Sequence, residues 1–359
     1  MPTSANQSYL ISGIQQMGVG VSDVEAAWKF YRNYFNVDVP VFKEEAVAEL
    51  MLPYTDGQPR ARYAVLALNM QGGGGFEIWQ YTERTPQPPQ FTPQPGDRGI
   101  YGCKLKSRDA QATYNFFRSE GLDLLTEVAP APDGTPHFYV RDPYGNVFEL
   151  VESKSWFQKT KGSTGGVYGA TVGTTNVDRA IELYGGLLGY DETVYDETGT
   201  FDDLDGLPGG AGQYRRVLLR HRAPRKGAFA NFFGSTEIEL IQTLDRKPRD
   251  IFEGRLWGDL GFIHLCYDIN GMDALSEACT AAGFPFTVDS GKHSFDMGEA
   301  AGRFAYIEDP DGALIEFVET HKVPIAKKLG FYLNLRGRNP EKPLPRLVIQ
   351  ALGLNRRRD

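Results

Sequence analysis

The stretch EDPDGALIEFVET, residues 308–320, repeats a pattern that RDPYGNVFELVES shows at residues 141–153. In both, Asp-Pro-x-Gly is typical of a tight turn, because proline presets φ and glycine tolerates a positive φ. The apolar run after each turn predicts a strand that is buried on both faces. One glutamate interrupts each run, Glu149 in the first and Glu316 in the second. A lone buried carboxylate is costly, so we expect each glutamate to have a positive partner.

Length and composition indicate a globular protein. The chain has 359 residues, of which 41% are hydrophobic and 23% charged, and a prior of roughly 150 residues per domain predicts about two domains. No apolar run approaches the roughly 20 residues of a membrane span, and the first residues lack the features of a signal peptide. We therefore expect a cytoplasmic protein. The three cysteines form no C-x-x-C pair, so a metal site must use His, carboxylate or amide ligands.

Charge is unevenly distributed along the chain. The basic C-terminal tail, residues 322–359, carries ten Lys or Arg against two acidic residues, which leaves a net charge of −16 on the preceding body. A body this acidic argues against nucleic acid as a partner. The tail is compatible with a membrane surface or a protein partner, and also with packing of its own apolar residues on the acidic body.

A second repeat relates the two halves of the chain. Residues 19–41 read VGVSDVEAAWKFYRNYFNVDVPV and residues 172–194 read VGTTNVDRAIELYGGLLGYDETV. Each segment predicts a short strand followed by an amphipathic helix, with Asp23 and Asn176 as the N-cap residues. A second type of helix, which ends in glycine, is predicted later in each half.

Strand-like runs follow every predicted helix. The sequence therefore predicts an α+β protein of four strand-helix-multistrand modules, which close in pairs into curved sheets. The proline-rich residues 84–98 and the segment 153–166 separate modules. The predicted divisions are modules 10–83 and 99–153 in a first domain, 10–153; modules 166–245 and 258–321 in a second domain, 166–321; and the tail, 322–359.

This pattern resembles the vicinal oxygen chelate superfamily, which includes glyoxalase I, extradiol dioxygenases and bleomycin-resistance proteins. The resemblance rests on the D-x-x-x-x-x-x-F-Y helix and on the endings DPYGNVFELVE and DPDGALIEFVE, and it covers residues 10–320. It implies βαβββ modules that form two cupped mixed β-barrels. In the family, a barrel surrounds one divalent metal ion, and the ligands come from the first and last strands of its modules.

The resemblance implies eight ligand positions in this chain. They are Gln16, Glu77, Gly102, Glu149, Gly169, Glu239, His264 and Glu316. If neighbouring modules share a barrel, neither barrel has the two His and one carboxylate of a non-haem iron oxygenase. If the first module pairs with the fourth, as in monomeric two-domain glyoxalases, one barrel collects Gln16, Glu77, His264 and Glu316. This is the ligand set of one class of glyoxalase I, and the other barrel then lacks both first-strand ligands.

Strand alternation is compatible with this ligand set. Gln16 shares a strand face with Gly18 and Gly20, which leave room for a ligand, and lies opposite the apolar residues of the strand. A purely structural alternative remains, in which His264 is a core histidine and Gln16 only completes the hydrogen bonding of the barrel.

Three other features need an explanation. Glu149 and Glu239 require partners that the sequence does not identify; a second metal ion or Arg141 is a candidate. His293 is a candidate pocket residue in the loop before the last strands. The run Gly72–Gly75 lacks the Lys and Ser/Thr of a phosphate loop, and we interpret it as a flexible turn.

The resemblance implies a metal-dependent lyase, isomerase or epimerase that acts on a small oxygenated substrate. One divalent ion (Zn, Ni, Fe, Mn or Co) would stabilise an enediolate or similar anion while a glutamate moves a proton. By resemblance, Glu316 is the first choice for this base and Glu77 the second. The positions that clamp glutathione in glyoxalase I of this class fall on Gly20, Tyr81 and Leu260, so glutathione is not the expected substrate.

Two alternative functions remain open. One is a non-haem iron dioxygenase-type enzyme, and the other is a non-catalytic small-molecule binding or resistance protein. Trp79 and Tyr81, on alternate positions after Glu77, form either an aromatic wall of the pocket or part of the core. We expect a small-molecule substrate, no nucleic acid and no membrane span. Two barrels within one chain are compatible with a monomer.

Overall fold

Strands of the first and fourth modules form one β-sheet, which we call the outer sheet. A computed structural model describes residues 9–291, 295–296, 301–326 and 331–357. The strands of the outer sheet are β1 (Leu10–Gly20), β2 (Val39–Ala48), β3 (Arg60–Leu68), β4 (Gly75–Tyr81), β14 (Gly261–Asn270), β15 (Val288–Asp289), β16 (Phe295–Asp296), β17 (Ala301–Glu308), β18 (Leu314–Ala326) and β19 (Phe331–Asn334). Their order is β15-β17-β18-β14-β1-β4-β3-β2, with β16 beside β17 and β19 beside β18.

Strands of the second and third modules form the inner sheet. They are β5 (Gly99–Ser107), β6 (Asp123–Leu124), β7 (Ala129–Pro130), β8 (Pro136–Arg141), β9 (Val147–Glu152), β10 (Thr164–Gly173), β11 (Glu192–Gly199), β12 (Tyr214–Arg220) and β13 (Glu237–Thr243). Their order is β11-β12-β13-β10-β5-β9-β8-β6, with β7 beside β8. The first module therefore pairs with the fourth and the second with the third, which confirms the predicted α+β architecture of paired, curved sheets. Each sheet takes strands from both predicted segments, 10–153 and 166–321, and the division into domains at those bounds stays a prediction.

The helices follow the first strand of each module. They are α1 (Val24–Phe35), α2 (Ala110–Ser119), α3 (Val177–Ile181), which continues into a π-helical turn (Glu182–Leu187), and α5 (Met272–Ala281); α4 (Ala230–Phe233) and α6 (Arg346–Ala351) lie outside this repeat. The predicted caps are confirmed, because the Asp23 side chain accepts a hydrogen bond from the Ala26 N–H and Asn176 accepts one from the Arg179 N–H. In the described part of the chain, no helix combines the length and apolarity needed to cross a bilayer.

The main hydrophobic core lies between the two sheets and the helices. Met17 and Val19 of β1 are fully buried in it, whereas Gln16 lines a cavity in the cup of the outer sheet. The Phe76 ring of the outer sheet lies 5.6 Å from the Phe148 ring of the inner sheet. Alternation along β1 therefore sends Met17 and Val19 between the sheets and Gln16 into the cup of the outer sheet.

The basic C-terminal tail packs on the body, in agreement with the second of the two sequence interpretations. Leu344, Ile349 and Leu352 are buried in an apolar cluster with residues of β2 and β3. Basic residues at its end contact the acidic body, since Arg356 Nη1 lies 3.0 Å from Asp38 Oδ2. Apolar packing thus accounts for Leu344, Ile349 and Leu352 of the tail, and ion pairs account for part of its charge.

Candidate metal centre

Four adjacent strands of the outer sheet carry the predicted ligands. In the antiparallel pair of β1 and β14, Gly18 is opposite His264 and Gln16 is opposite Cys266. β4 places Glu77 beside Gly18, and β18 places Glu316 beside Cys266. All four predicted ligand side chains therefore come together in the cup.

The ligand atoms are separated by distances that suit a shared ion. His264 Nε2 lies 3.4 Å from Glu77 Oε2 and 3.2 Å from Glu316 Oε2. The Gln16 amide Nε2 donates hydrogen bonds to Glu77 Oε2 at 3.3 Å and to Glu316 Oε2 at 3.4 Å, so a 180° flip of the amide would bring its oxygen, the atom that binds metals, to this position. Two ligands that each lie about 2.1 Å from one ion, at tetrahedral or octahedral angles, are roughly 3.0–3.4 Å apart. The spacing is therefore compatible with one divalent ion.

Two buried atoms at this centre lack hydrogen-bond partners among the described residues. Gln16 Oε1 has none, and His264 Nε2 is not aligned for a hydrogen bond with either nearby carboxylate. Gln16 is 3% exposed and His264 is fully buried. An unpaired buried polar atom is destabilising, and both atoms are good metal ligands. The residues present therefore fit a metal ion.

Burial and mutual charge interactions shift the pKa values of this group. Burial disfavours the charged form of Glu77, but the attraction of the nearby His264 outweighs this, so the pKa of Glu77 is lowered. For Glu316, burial together with the charge of Glu77 outweighs the attraction of His264 and raises the pKa. Burial opposes the charging of His264, but Glu316 and Glu77 raise its pKa. Without a metal ion, His264 is thus the main source of positive charge for the two carboxylates.

Tyr306 and Trp257 contact His264. The sequence analysis did not single out either residue. The Tyr306 hydroxyl lies 3.3 Å from His264 Nδ1, which fixes the ring and leaves Nε2 free to bind a metal. The Trp257 ring is nearly parallel to the imidazole, with centroids 6.4 Å apart. Tyr306 is opposite Glu316 in the pairing of β17 with β18, so a search for the neighbours of the ligand positions would have identified it.

Trp79 and Tyr81 belong to the core, which settles the alternative left open by the sequence. Trp79 is fully buried and packs edge-on against Trp257 with centroids 4.8 Å apart. The Tyr81 hydroxyl donates to the Trp257 carbonyl. These two side chains support Trp257 from behind, and Trp257 itself lines the cavity.

A cavity of about 400 Å³ opens onto the centre. Gln16, Glu77 and Glu316 lie in its wall, which is otherwise largely apolar. A cavity of this size is typical of a small-molecule site.

The three residues at the positions that would clamp glutathione all make close contacts elsewhere in the protein. A Cβ at Gly20 would overlap the Asp259 carbonyl oxygen, so this position has no room for a side chain. Tyr81 is engaged with Trp257, as above, and the Leu260 carbonyl accepts a hydrogen bond from Arg255 Nη1. The structure thus offers no clamp at Gly20, Tyr81 or Leu260.

The inner sheet carries a buried ion-pair network in place of a metal ligand set. Lys104 Nζ lies 2.8 Å from Glu239 Oε2, 3.0 Å from Glu149 Oε2 and 3.4 Å from Glu237 Oε1. Burial opposes its charge, but the three glutamates raise the pKa of Lys104 well above its usual value. Burial likewise opposes ionisation of Glu239 and Glu149, and neighbouring cations lower the pKa of both. Lys104 therefore provides the positive partner that the sequence left unidentified.

Two further cations complete this network. Arg216 Nε donates to Glu239 at 2.7 Å, and His137 Nδ1 lies 2.8 Å from Glu149 Oε1. Burial opposes the charging of His137, but Asp203 and Glu149 outweigh it and raise its pKa to about 9. Arg141 is not involved, because it pairs with Asp123 at the surface. The suggestion of Arg141 was wrong: it lies at the edge of the strand, where it reaches water and not the cup.

The run Gly72–Gly75 is a packed turn and not an exposed flexible one. All four glycines are buried. A Cβ at Gly72 would lie 2.6 Å from Gly165 Cα, and one at Gly73 would overlap the Phe232 carbonyl oxygen. These glycines allow three backbone segments to meet. His293 lies outside the described residues.

Comparisons with known proteins agree with this architecture. Family models of the glyoxalase/bleomycin resistance protein/dioxygenase superfamily match residues 13–150 and residues 170–306. A search of curated proteins finds no match to the sequence. The paired βαβββ modules and the two matches together define the class of protein. The chain belongs to the glyoxalase/bleomycin resistance protein/dioxygenase superfamily.

Solved structures share the fold at low sequence identity. Glyoxalase I from Zea mays has a TM-score of 0.52 and 15% identity, over 86% of this chain and 92% of that chain. A putative dioxygenase from Bacillus subtilis subsp. subtilis str. 168 has a TM-score of 0.54 and 14% identity, over 86% of each chain. At this level of identity the similarity concerns the fold alone.

Proposed function

We propose that this protein is a metal-dependent lyase, isomerase or epimerase that acts on a small oxygenated substrate without glutathione. Gln16, Glu77, His264 and Glu316 would hold one divalent ion. The observation that carries the proposal is the convergence of His264 Nε2 with carboxylate oxygens of Glu77 and Glu316 at ligand spacing. The Gln16 amide lies against both carboxylates. The absence of room at Gly20 supports a substrate other than a glutathione adduct.

The residues of the centre have distinct roles in this proposal. A bound divalent ion would supply Lewis-acid stabilisation of negative charge on adjacent substrate oxygens. Glu316 and Glu77 both line the cavity, so either carboxylate can meet a substrate proton. Glu316 is the proposed base, by its resemblance to the glyoxalase position, and Glu77 is the second choice. Tyr306 keeps the His264 ring oriented, and Trp257 shields the centre from water.

The donor set argues against the first alternative function. A non-haem iron oxygenase of the common type uses two histidines and one carboxylate. The candidate centre has a single histidine, two carboxylates and one amide, and the inner barrel has Lys104 at its middle. A non-catalytic binding protein has no need for the two unpartnered ligand atoms, so metal affinity separates that alternative from the proposal.

Metal affinity of matched glutamate variants tests the proposal. Glu316 and Glu319 lie on the same strand, but Glu316 lines the cavity while Glu319 accepts a hydrogen bond from the Gly271 N–H on the other side. After removal of metal with a chelator, calorimetric titration with Mn²⁺ is expected to show one site per chain. Loss of an outer-shell partner alone weakens metal sites by about 10–100-fold, so Glu316→Ala is expected to weaken binding by at least about 100-fold.

The control variant Glu319→Ala is expected to bind Mn²⁺ within about twofold of the wild-type protein, because it leaves all four ligands in place. Equal affinities of the two variants would contradict the assignment of Glu316. A folded wild-type protein with no affinity for Mn²⁺, Zn²⁺, Ni²⁺, Co²⁺ or Fe²⁺ would overturn the proposed function.

A further inference from the structure

The cavity at the centre continues into an apolar end that the repeated modules alone do not build. Phe229, Phe232, Phe233, Leu352 and Val323 line this part of the cavity and belong to one buried hydrophobic cluster. We call this set the apolar end. It is continuous with the wall that contains Gln16 and Glu316.

One part of the apolar end comes from a long connection in the third module. Between β12 and β13 the chain has sixteen residues, 221–236, whereas the equivalent connection of the first module has six, 69–74. The additional length includes α4 with Phe232 and Phe233, and Phe229 just before it. Lys106 Nζ fixes this connection, because it donates to the Phe233 carbonyl at 2.8 Å and to the Gly72 carbonyl at 2.6 Å. A segment of the inner pair of modules thus reaches the cavity of the outer sheet.

The C-terminal tail supplies the other part. The 3₁₀ turn Leu352–Asn355 follows α6, and Leu352 and Asn355 both line the cavity. The turn is held by the Arg357 N–H, which donates to the Asp38 carbonyl at 2.9 Å. The Leu344 N–H donates to the Ala228 carbonyl at 2.8 Å. The two segments that close the apolar end are therefore also bonded to each other.

The charges around the cavity do not favour an anionic substrate. Among the described lining residues, the only cations are Arg62 and Lys322. Arg62 Nη2 pairs with Glu44 at 2.8 Å, and Lys322 Nζ lies over the Tyr332 ring at 4.2 Å. Glu44 and Glu49 add negative charge to the wall. The described wall thus has four carboxylates, Glu44, Glu49, Glu77 and Glu316, against two cations, so its net charge does not favour a carboxylate or phosphate on the substrate.

We propose that the substrate joins two adjacent metal-binding oxygens to an uncharged apolar body, and that this body is seated in the apolar end against Phe229, Phe233 and Leu352. This inference rests on the proposed function for the oxygens, whereas the seat for the apolar body stands on the cavity itself. The connection 221–236 and the C-terminal tail are thereby the segments that determine substrate specificity.

A series of alkyl hydroxamates tests this inference, because each member has the same two chelating oxygens and a different apolar tail. With Mn²⁺ bound, affinity is measured for acetohydroxamate, butanohydroxamate, hexanohydroxamate and octanohydroxamate. Burial of one methylene group strengthens binding about threefold to fourfold, so octanohydroxamate is expected to bind at least about 100-fold more tightly than acetohydroxamate.

Two leucines of the tail provide a matched pair of variants. Leu352 lines the cavity and is 7% exposed, whereas Leu354 is 78% exposed. Leu352→Glu is expected to weaken octanohydroxamate binding at least about tenfold and to leave acetohydroxamate binding within about twofold. Leu354→Glu is expected to match the wild-type protein with both ligands. Phe229→Gln provides a second test if Leu352→Glu does not fold.

The outcomes separate this inference from the proposed function. Tight Mn²⁺ binding with equal affinities along the series, or a chain-length effect that Leu352→Glu retains, would overturn the apolar seat and leave the metal centre standing. If Mn²⁺ does not bind, the proposed function fails, and the uncharged dye Nile red is titrated into the metal-free protein. Weaker dye binding by Leu352→Glu than by Leu354→Glu supports the apolar seat, and equal binding contradicts it.

Discussion

At the residue scale, the chain neutralises two similar carboxylate pairs in different ways. Lys104 is opposite Gly169 in the pairing of β10 with β5, just as Cys266 is opposite Gln16 in the pairing of β1 with β14. In the inner sheet, the ammonium group of Lys104 lies between Glu149 and Glu239. In the outer sheet, Cys266 stands at the equivalent position, and His264 is the group that pairs with Glu77 and Glu316. The lysine therefore occupies the place that a metal ion would take.

The charge of Lys104 is expected to be essential for stability. Lys104→Met removes the common partner of three buried glutamates, and loss of one partner from a buried ion pair costs about 3–5 kcal/mol. The free energy of unfolding in urea is expected to fall by that amount. The exposed Lys154 provides the control, since Lys154→Met is expected to change it by less than about 0.5 kcal/mol. A loss of less than about 1 kcal/mol in Lys104→Met would show that the glutamates do not depend on the ammonium group.

Sequence reasoning reached the outer ligands but missed this lysine for a physical reason. The resemblance implied Gln16, Glu77, His264 and Glu316: the two first-strand positions lie seven residues before Asp23 and Gly271, and the glutamates lie in the last strands of their modules. Lys104 lies two residues after Gly102 and hence on the same strand face. Alternation identifies the face, but not how far a long side chain reaches along the cup. The sequence did show that Glu149 and Glu239 needed a positive partner, and this was the signal that could have led to Lys104.

At the element scale, close packing between backbone segments explains the glycine run. The turn after β3 lies against residues 165–166 and against α4, so that the connection 221–236 can cross to the cavity of the outer sheet. The sequence shows the length of this connection, but its destination depends on contacts that are distant along the chain. The apolar end of the cavity was therefore not predictable from the local pattern.

Alanine substitutions at two glycines with positive φ distinguish the cost of a steric overlap from the cost of backbone strain. Gly73 has φ of 78° and would place a Cβ on the Phe232 carbonyl oxygen, whereas Gly57 has φ of 68° and has nothing within 4 Å of such an atom. Gly57→Ala is expected to lower the free energy of unfolding by roughly 1–2 kcal/mol through backbone strain alone. Gly73→Ala is expected to cost at least about 2 kcal/mol more, because α4 must move. Equal costs would contradict a close fit between this turn and α4.

At the scale of the whole molecule, the outer modules pair with each other and the inner modules with each other. Local sequence did not determine this pairing, because all four modules present similar first strands that can pair in more than one way. The resemblance to two-domain glyoxalases selected the pairing that the structure has. The tail was predictable in part: its charge opposes that of the acidic body, and Arg356 pairs with Asp38. Its contribution to the cavity required the three-dimensional structure.

The arrangement concentrates the candidate metal ligands in one sheet. Gln16 and Glu77 come from the start of the chain, and His264 and Glu316 come from its fourth module. The inner barrel has glycine at both first-strand positions and a lysine between its carboxylates. One divalent ion per chain is therefore expected, at a single location.

An anomalous difference map from a crystal soaked in Mn²⁺ tests this claim most directly. The account predicts one strong peak per chain, bounded by Gln16 Oε1, His264 Nε2 and the carboxylates of Glu77 and Glu316, and no peak beside Lys104. A peak between Glu149 and Glu239, or a well-ordered protein with no peak at His264, would contradict it.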